Sequence, residues 1–370
     1  RDVERSRGLG DVYKRQFLFR ASPQFNPNNN NEHWQTAYNY NKETLNYLIG
    51  QGHALYDDYG KLFLDEMNKE VIFAIRYENP TRTQKRDATV RPITFSMNNT
   101  GGNHPTQEVI DRFPTIDGGT YTYADWEKEG KDIFALWENR DKRFYATIVQ
   151  DSCEYYGELV TMHKTGNLQR CSLGEAPGTA EMGSTNYLWR KGVYINDWRI
   201  FVDVPTDYHY VIFRYGRALL NKAEALLCLA KSDPSKLSEA VATFNQTRTV
   251  HGGLPESEAS TLVEAWKDYK IERHVELPME GDYYWSLLRW GKYGEEANDG
   301  QPSGSEVIKE LRTPATFIEI SSDRHRMFIG TQGYGNADRT FSKKRYLYPI
   351  PQSLINANSA ITEKDQNPLW

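Results

Sequence analysis

Residues 213–255 read FRYGRALLNKAEALLCLAKSDPSKLSEAVATFNQTRTVHGGLP, and their spacing decides the fold class. Between Phe213 and Lys231, the residues Leu219, Leu220, Ala223, Leu226, Leu227 and Ala230 recur three and four positions apart, the stripe by which an α-helix buries one face. Asp233-Pro234 breaks the pattern and suits a restart, since proline is tolerated only in a first helical turn. A second stripe follows in Leu237, Ala240, Val241, Phe244 and Arg248, and Gly252-Gly253 closes it. The stretch predicts a helical hairpin.

Helices continue on both sides of it. Leu262 to Glu280 predicts a third helix, with Trp266, Tyr269 and Ile271 among its apolar positions, and Asp282 to Trp290 a short fourth. Pro278 lies inside the third, where a lost hydrogen bond and a ring clash cost about 3 kcal/mol, so a kink or a helix end is expected there. Upstream, Asn26 to Asn31 reads as a polar linker. Trp34, Ala37, Tyr38, Asn41, Leu45, Leu48 and Ile49 then mark a helix that Gly50 and Gly52 stop. Asp57 to Leu64 reads as a helical turn and Val71 to Tyr77 as a buried strand. Residues 78–208 form a loop-rich stretch of Gly, Pro, Asn and Thr clusters dense in aromatics, and 292–370 a second one with an extended, proline-rich tail. The fold class is therefore mainly α: helix pairs like those of tetratricopeptide repeats, whose period is about 34 residues, with a long loop-rich insertion and few short strands.

Composition narrows the function. The 370 residues carry 45 basic and 50 acidic side chains, a balance that gives no electrostatic grip on a phosphate backbone. Nucleic acid is excluded as a partner. Aromatics make up 13%, with 24 Tyr and 9 Trp, rings whose polar edges suit wet, adhesive surfaces such as those that hold sugars. Cys153, Cys171 and Cys228 are too scattered for a disulfide framework or a thiolate zinc site. No apolar run reaches the roughly 20 residues that span a bilayer. Residues 1–16, RDVERSRGLGDVYKRQ, are basic and without apolar period, and read as a foreign leader joined to a truncated gene; a signal segment is then missing rather than absent.

The sequence offers few catalytic patterns. Glu272, Glu276 and Glu280 share a helix face, which raises a paired-carboxylate glycosidase. Beside Arg273 they more simply make a salt-linked surface or inter-helix network. His274 and Glu276 lack the spacing that sets two imidazoles on one metal, and His325 lies between Arg324 and Arg326, which disfavours a third positive charge. There is no nucleophile elbow or phosphate loop, and Gly333-Tyr334-Gly335 reads as a turn. Catalytic residues, a metal site and a cofactor are not expected.

The helical region also carries family motifs. Phe213-Arg214, Leu219-Leu220-Asn221-Lys222-Ala223-Glu224-Ala225, Phe244-Asn245-Gln246-Thr247-Arg248 and Gly253-Leu254-Pro255 are followed in order by Ile271-Glu272-Arg273, Glu276-Leu277, Glu280-Gly281 and Leu288-Arg289-Trp290-Gly291. Ala21-Ser22-Pro23, Phe25-Asn26, Pro114-Thr115, Asp117-Gly118, Asn139-Arg140-Asp141 with Arg143, Tyr348-Pro349-Ile350-Pro351 and Gln366-Asn367-Pro368 complete the set. This ordered set, from Phe17 to Trp370, resembles the SusD/RagB family of glycan-binding lipoproteins. Arg217 stands where the family usually has Glu, and Tyr283 and Ser286 replace an expected Arg and Asp, which touches local salt bridges rather than the fold.

The resemblance implies a SusD-like domain over 17–370, divided into a helical part 17–77, a loop-rich part 78–208, a helical-repeat part 209–291 and a loop-rich C-terminal part 292–370. It implies a non-catalytic protein at the outer membrane, held by a lipid anchor missing from this chain, that delivers glycans to a SusC-like TonB-dependent transporter. Family motifs do not locate the sugar. The aromatic loops do: Tyr121, Tyr123 and Trp126 after Asp117-Gly118-Gly119, and Tyr187 with Trp189, are the candidate glycan contacts, each weighed against core packing. The alternatives are a helical-repeat scaffold for peptide or protein and a glycoside hydrolase acting through Glu276.

Overall fold

The structure is a computed structural model and describes residues 16–84, 104–155, 157–163, 165–167, 185–192, 207–291, 304–313, 315–331, 340–367 and 369–370. Cys171, Gly333-Tyr334-Gly335, Pro368 and all but the last residue of the expected leader lie outside them. Residues 16–21 are helical and lead to α1, Asn31–Gly50, capped by the Asn30 side chain, which accepts from the Glu32 N–H. Trp34, Ala37, Tyr38, Leu45 and Leu48 are its buried side, as the spacing predicts. Asp57 to Leu64 forms turns instead of a helix. Tyr59, Leu62 and Phe63 are buried there, so tertiary packing holds the segment in shape without helical hydrogen bonds.

The predicted strand is β1, Val71–Ile75. It pairs antiparallel with β6, Tyr210–Arg214, in the register Val71↔Arg214 to Ile75↔Tyr210. Phe213 and Arg214, read from sequence as the start of a helix, thus end a strand, and α5, Tyr215–Leu229, begins directly after them. The β-branched run Val211-Ile212 and the pairing with β1 win over a helical pattern that begins in earnest only at Leu219. Of the 15 residues of α5, 14 are buried, which makes it the central helix. α6 (Lys236–Val250) and α1 flank it, and α7 (Leu262–Glu276) and α8 (Tyr283–Trp290) close the bundle around a core of Leu226, Leu227, Phe244, Trp266, Tyr269 and Trp290.

Thr261 and Glu264 form a reciprocal capping box at the start of α7. The helix stops at Glu276 with Leu277 as its cap, one residue before Pro278, as the proline requires. Met279 and Gly281, both at positive φ, then turn the chain into α8.

Short elements organise the first loop-rich part: α2 (Gln107–Ile110), α3 (Tyr123–Glu129), α4 (Lys142–Thr147) and the paired strands β2 (Ile148–Val149) and β5 (Leu188–Trp189), with β3 (Glu154–Tyr155) and β4 (Glu158–Leu159) as a second small pair. Its core is not its own. α9 (Gly304–Arg312) is followed by the hairpin of β7 (Thr316–Ile320) and β8 (Met327–Thr331), and Ile318, Ile320 and Met327 of that hairpin pack with Phe113, Trp126, Trp137 and Tyr187. The two loop-rich parts therefore share one core. Val275 of α7 joins it, tying it to the helices.

Candidate functional site

The five candidate aromatics do come together. Tyr123, Trp126, Tyr187 and Trp189 belong to one buried cluster, and Tyr121 packs against its edge. Thr122 and Asp125 cap α3 reciprocally and fix the direction of Tyr123 and Trp126. The Trp126 indole N–H donates to the Asp132 carbonyl at 2.9 Å, and the Tyr123 ring lies 5.5 Å from that of Trp126. The Tyr187 hydroxyl donates to Gln107 at 2.7 Å and accepts from the Trp137 indole at 3.1 Å. Trp189 is held by its strand pairing with Ile148. Tyr187 is 0% exposed and Tyr123, Trp126 and Trp189 are 6–7% exposed, so these four rings give their faces to the core.

Tyr121 differs. It is half-buried, its hydroxyl donates to Glu129 at 2.8 Å, and the Arg140 guanidinium lies 5.5 Å from its ring. Burial, with the Glu129 hydrogen bond adding to it, pushes its pKa up to about 12, so the phenol stays a donor over the physiological range. It is the one of the five whose ring reaches solvent.

The densest chemistry lies between the two cores. Arg143, on α4, donates to Asp141 at 2.7 Å, to Glu272 at 2.6 and 2.9 Å and to Glu276 at 2.7 Å. Arg214, at the β6–α5 junction, donates to Glu70 at 2.7 Å, to Glu276 at 2.6 Å and to Glu280 at 2.9 and 3.0 Å. His251, at the end of α6, places Nδ1 2.8 Å from Glu276 and Nε2 3.2 Å from Glu70. Lys191 donates to Glu280 and to the Tyr59 hydroxyl, both at 2.7 Å, and Arg217 donates to the Glu280 carbonyl at 2.9 Å. The carboxylates Glu70, Asp141, Glu272, Glu276 and Glu280 are thus matched one for one by Arg143, Lys191, Arg214, Arg217 and His251, all buried but Glu280, whose side chain is 6% exposed. Matching is what makes the burial tolerable, since an unpaired buried charge costs several kcal/mol.

The charges respond accordingly. Burial alone would push Glu276 up, but His251, Arg214 and Arg143 hold it well below the carboxylate range. Glu280 is likewise raised by burial and brought down to about 2 by Arg214 and Lys191. For His251, burial acts downward and is outweighed by Glu276 and Glu70, which lift the imidazolium to about 9. Burial lowers Lys191 to about 8, and Glu280 recovers only part of the loss.

Arg273, expected beside the three glutamates, points the other way. It donates to Asp282 at 2.7 Å through two nitrogens and to Asn221 at 3.1 Å, while Arg289 pairs with Glu224 at 2.5 Å. Ser286, at a family position that departs from the usual residue, accepts from Arg273 Nε at 3.1 Å and donates to Asp282 at 2.6 Å.

Two functional readings of the network can be weighed on geometry. Glu70, His251 and Glu276 bring ligand-type atoms within 4.8 Å of one another, as a metal site would. Arg214 already sits 2.7 and 2.6 Å from the two carboxylates, so the positive charge a metal would bring is in place. A glycosidase pair must flank a sugar across a cleft, whereas the side chains of Glu272 and Glu276 are 0% exposed and filled by guanidinium groups. The inter-helix network read from sequence is present, buried rather than superficial. Glu70, Lys191 and His251 were not legible as its members, because each is a lone residue far along the chain from the others.

Comparison with known proteins follows the fold. The sequence model of the SusD family matches residues 69–370. A SusD-like protein from Bacteroides fragilis superposes with a TM-score of 0.64 at 21% identity, over 92% of this chain and 65% of its own. A SusD-like carbohydrate binding protein from the same organism gives 0.59 at 20% identity, over 89% and 61%. Surface glycan-binding protein A from Bacteroides uniformis gives 0.52 at 17%, over 97% and 60%. The chain therefore spans less than two thirds of the length of these three structures. No curated protein matches the chain.

Proposed function

The chain belongs to the SusD family, and on that premise we propose that it is a non-catalytic protein that captures oligosaccharides at the cell surface and passes them to a SusC-like TonB-dependent transporter of the outer membrane, where the full protein is held by a lipid anchor. The observation that carries the binding reading over hydrolysis is the state of the α7 carboxylates. Glu272 and Glu276 are spent on Arg143, Arg214 and His251, and so are withdrawn from acid–base work on a substrate. Two structural relatives bear names that speak of carbohydrate or glycan binding, which supports the same ligand class here. Among the described residues no helix is long and apolar enough to cross a membrane, which accords with attachment through a lipid.

Of the five aromatic candidates, Tyr121 is the proposed sugar contact, and Tyr123, Trp126, Tyr187 and Trp189 are the rigid bed beneath it. A pyranose presents C–H groups that stack on such a ring, and Glu129 and Arg140 beside Tyr121 orient it. The test is affinity electrophoresis and calorimetry of the chain against a panel of soluble polysaccharides. Retardation by at least one glycan, with no products released on prolonged incubation, is the expected result. A folded protein that binds none of them counts against capture, and released products revive the hydrolase.

A further inference from the structure

We infer that Arg248 and Lys142 form an oxyanion site that takes the carboxylate or sulfate group of an acidic glycan; this deepens the capture reading above and rests on it. Arg248 lies in the last turn of α6, and Lys142 opens α4. Both lie against the Gly253-Leu254-Pro255 loop that follows α6. Arg248 belongs to a family motif, whereas Lys142 stands between the motif residues Asp141 and Arg143. The site thus joins a scaffold cation to one that the motifs leave free to vary.

Arg248 breaks the rule that the other buried arginines keep. Arg143, Arg214, Arg217, Arg273 and Arg289 each meet a carboxylate, and Arg140 gives its nitrogens to the carbonyls of Leu136 and Phe113. Arg248 is 6% exposed, and its Nε donates to the Pro255 carbonyl at 2.7 Å. Among the described residues neither Nη has a hydrogen bond or a carboxylate partner, and this end of the guanidinium touches solvent. Sinking a cation this far without its counter-charge is costly, and an arriving anion removes the cost.

Two glycines make the room. Gly118 and Gly253, at φ +87° and +66°, have no side chain where the cations pass: a β-carbon would stand 2.7 Å from Arg248 Nη2 at the first and 3.0 Å from Lys142 Nζ at the second. The same point at Gly118 is 3.2 Å from the exposed Pro255, so the Nη end surfaces between these two residues. Lys142 is exposed, and among the described residues its ammonium meets no carboxylate. Asp117, the acid beside Gly118, is spent on the Thr115 hydroxyl and the Gly119 N–H and makes no ion pair with Arg248.

The free edge of the guanidinium presents two N–H groups side by side, which match a pair of oxygens on a carboxylate or sulfate, and the lysine adds charge without fixing geometry. Gly118 precedes Tyr121 by three residues, at most about 11 Å of chain. A short oligosaccharide stacked on Tyr121 therefore brings an acidic substituent within reach of Arg248.

The experiment measures affinity of the full chain by affinity electrophoresis and calorimetry for a neutral glycan (dextran), a carboxylated one (polygalacturonate) and a sulfated one (dextran sulfate). Wild type is compared with Lys142→Ala, Lys142→Arg and Arg248→Gln, and thermal melts verify that each is folded. Wild type is expected to prefer one of the acidic glycans, with an affinity that declines as sodium chloride is added. That affinity should fall severalfold in Lys142→Ala and at least about tenfold in Arg248→Gln, and hold in Lys142→Arg. Lys142→Ala decides the matter should Arg248→Gln not fold. If wild type binds only dextran, or if the folded variants bind the acidic glycan as well as wild type does, the oxyanion site is overturned and capture stands. If wild type binds no glycan, capture falls and the site with it.

Discussion

Arg214 and Glu276 meet at 2.6 Å with both side chains fully excluded from solvent, and through them the β1–β6 ladder, the central helix α5 and the end of α7 are fixed to one point. The same guanidinium also reaches Glu70 and Glu280. Removing Arg214 leaves one buried negative charge uncompensated among Glu70, Glu276 and Glu280. Arg214→Met is expected to destabilise the fold by about 3–5 kcal/mol, measured as the shift in urea midpoint at constant m-value. Lysine at this position does not restore it, since one ammonium cannot span three carboxylates in the planar geometry of the guanidinium.

Gly216 shows how tightly the network is packed. A methyl group at its α-carbon would stand 2.7 Å from an Arg214 nitrogen, 2.9 Å from Glu70 and 3.1 Å from Glu276. The need is for space and not for an unusual backbone. Gly216→Ala, which in an open helix would help by about 1 kcal/mol, is expected to reverse sign and cost about 1–3 kcal/mol. Thermal unfolding of the variant beside the wild type checks the sign. A gain in Tm would mean that the carboxylates can move apart freely.

The pH dependence of stability follows from the same groups. His251 is raised from 6.5 to about 9 on folding, so its contribution is fully present below pH 6.5 and is lost as pH rises through about 9. Glu280 is lowered from 4.5 to about 2, so its contribution is present above pH 4.5 and lost as pH falls toward 2. Lys191, lowered from 10.5 to about 8, acts against His251 from near pH 8 upward. His274, pushed well below 6.5 by burial and then by Arg112, adds stability above pH 6.5 that is lost on acidification. Urea midpoints are therefore expected to decline between pH 6.5 and 8 as His251 gives up its contribution, the decline easing toward pH 8 as Lys191 begins to oppose it. In His251→Gln that decline should vanish even though the variant is weaker overall. A slope that survives the substitution would place its origin elsewhere.

Much of this was readable in the sequence, for a physical reason. The helices α1, α5, α6, α7 and α8 have long apolar stripes and definite stops, such as Gly50 and Pro278, so local pattern and tertiary burial agree. Where they disagree, reading fails: Phe213 and Arg214 sit in a strand because β1, some 140 residues earlier, pairs with them. The network was half visible. Glu272 and Glu276 lie one helical turn apart and announce a shared face, while Glu70, Lys191 and His251 reach the same point only through the fold. Aromatic richness identified a cluster and not its exposure, because Tyr121 and Tyr187 look alike in sequence although only Tyr121 meets water.

That last distinction yields a two-sided prediction. Tyr187 is 0% exposed and its hydroxyl serves Gln107 and Trp137, so Tyr187→Phe leaves a buried acceptor and a buried donor without their partner. It is expected to cost about 1–3 kcal/mol of stability and to leave glycan affinity unchanged at temperatures where the variant is folded. Tyr121→Ala is expected to do the opposite. Its ring packs only at the cluster's edge, so stability should change by about 1 kcal/mol or less, while affinity for any bound glycan falls about tenfold. Urea unfolding and affinity electrophoresis on both variants separate the two effects. If Tyr121→Ala lowers stability alone, the ring is a core residue like its four neighbours and the sugar is held elsewhere.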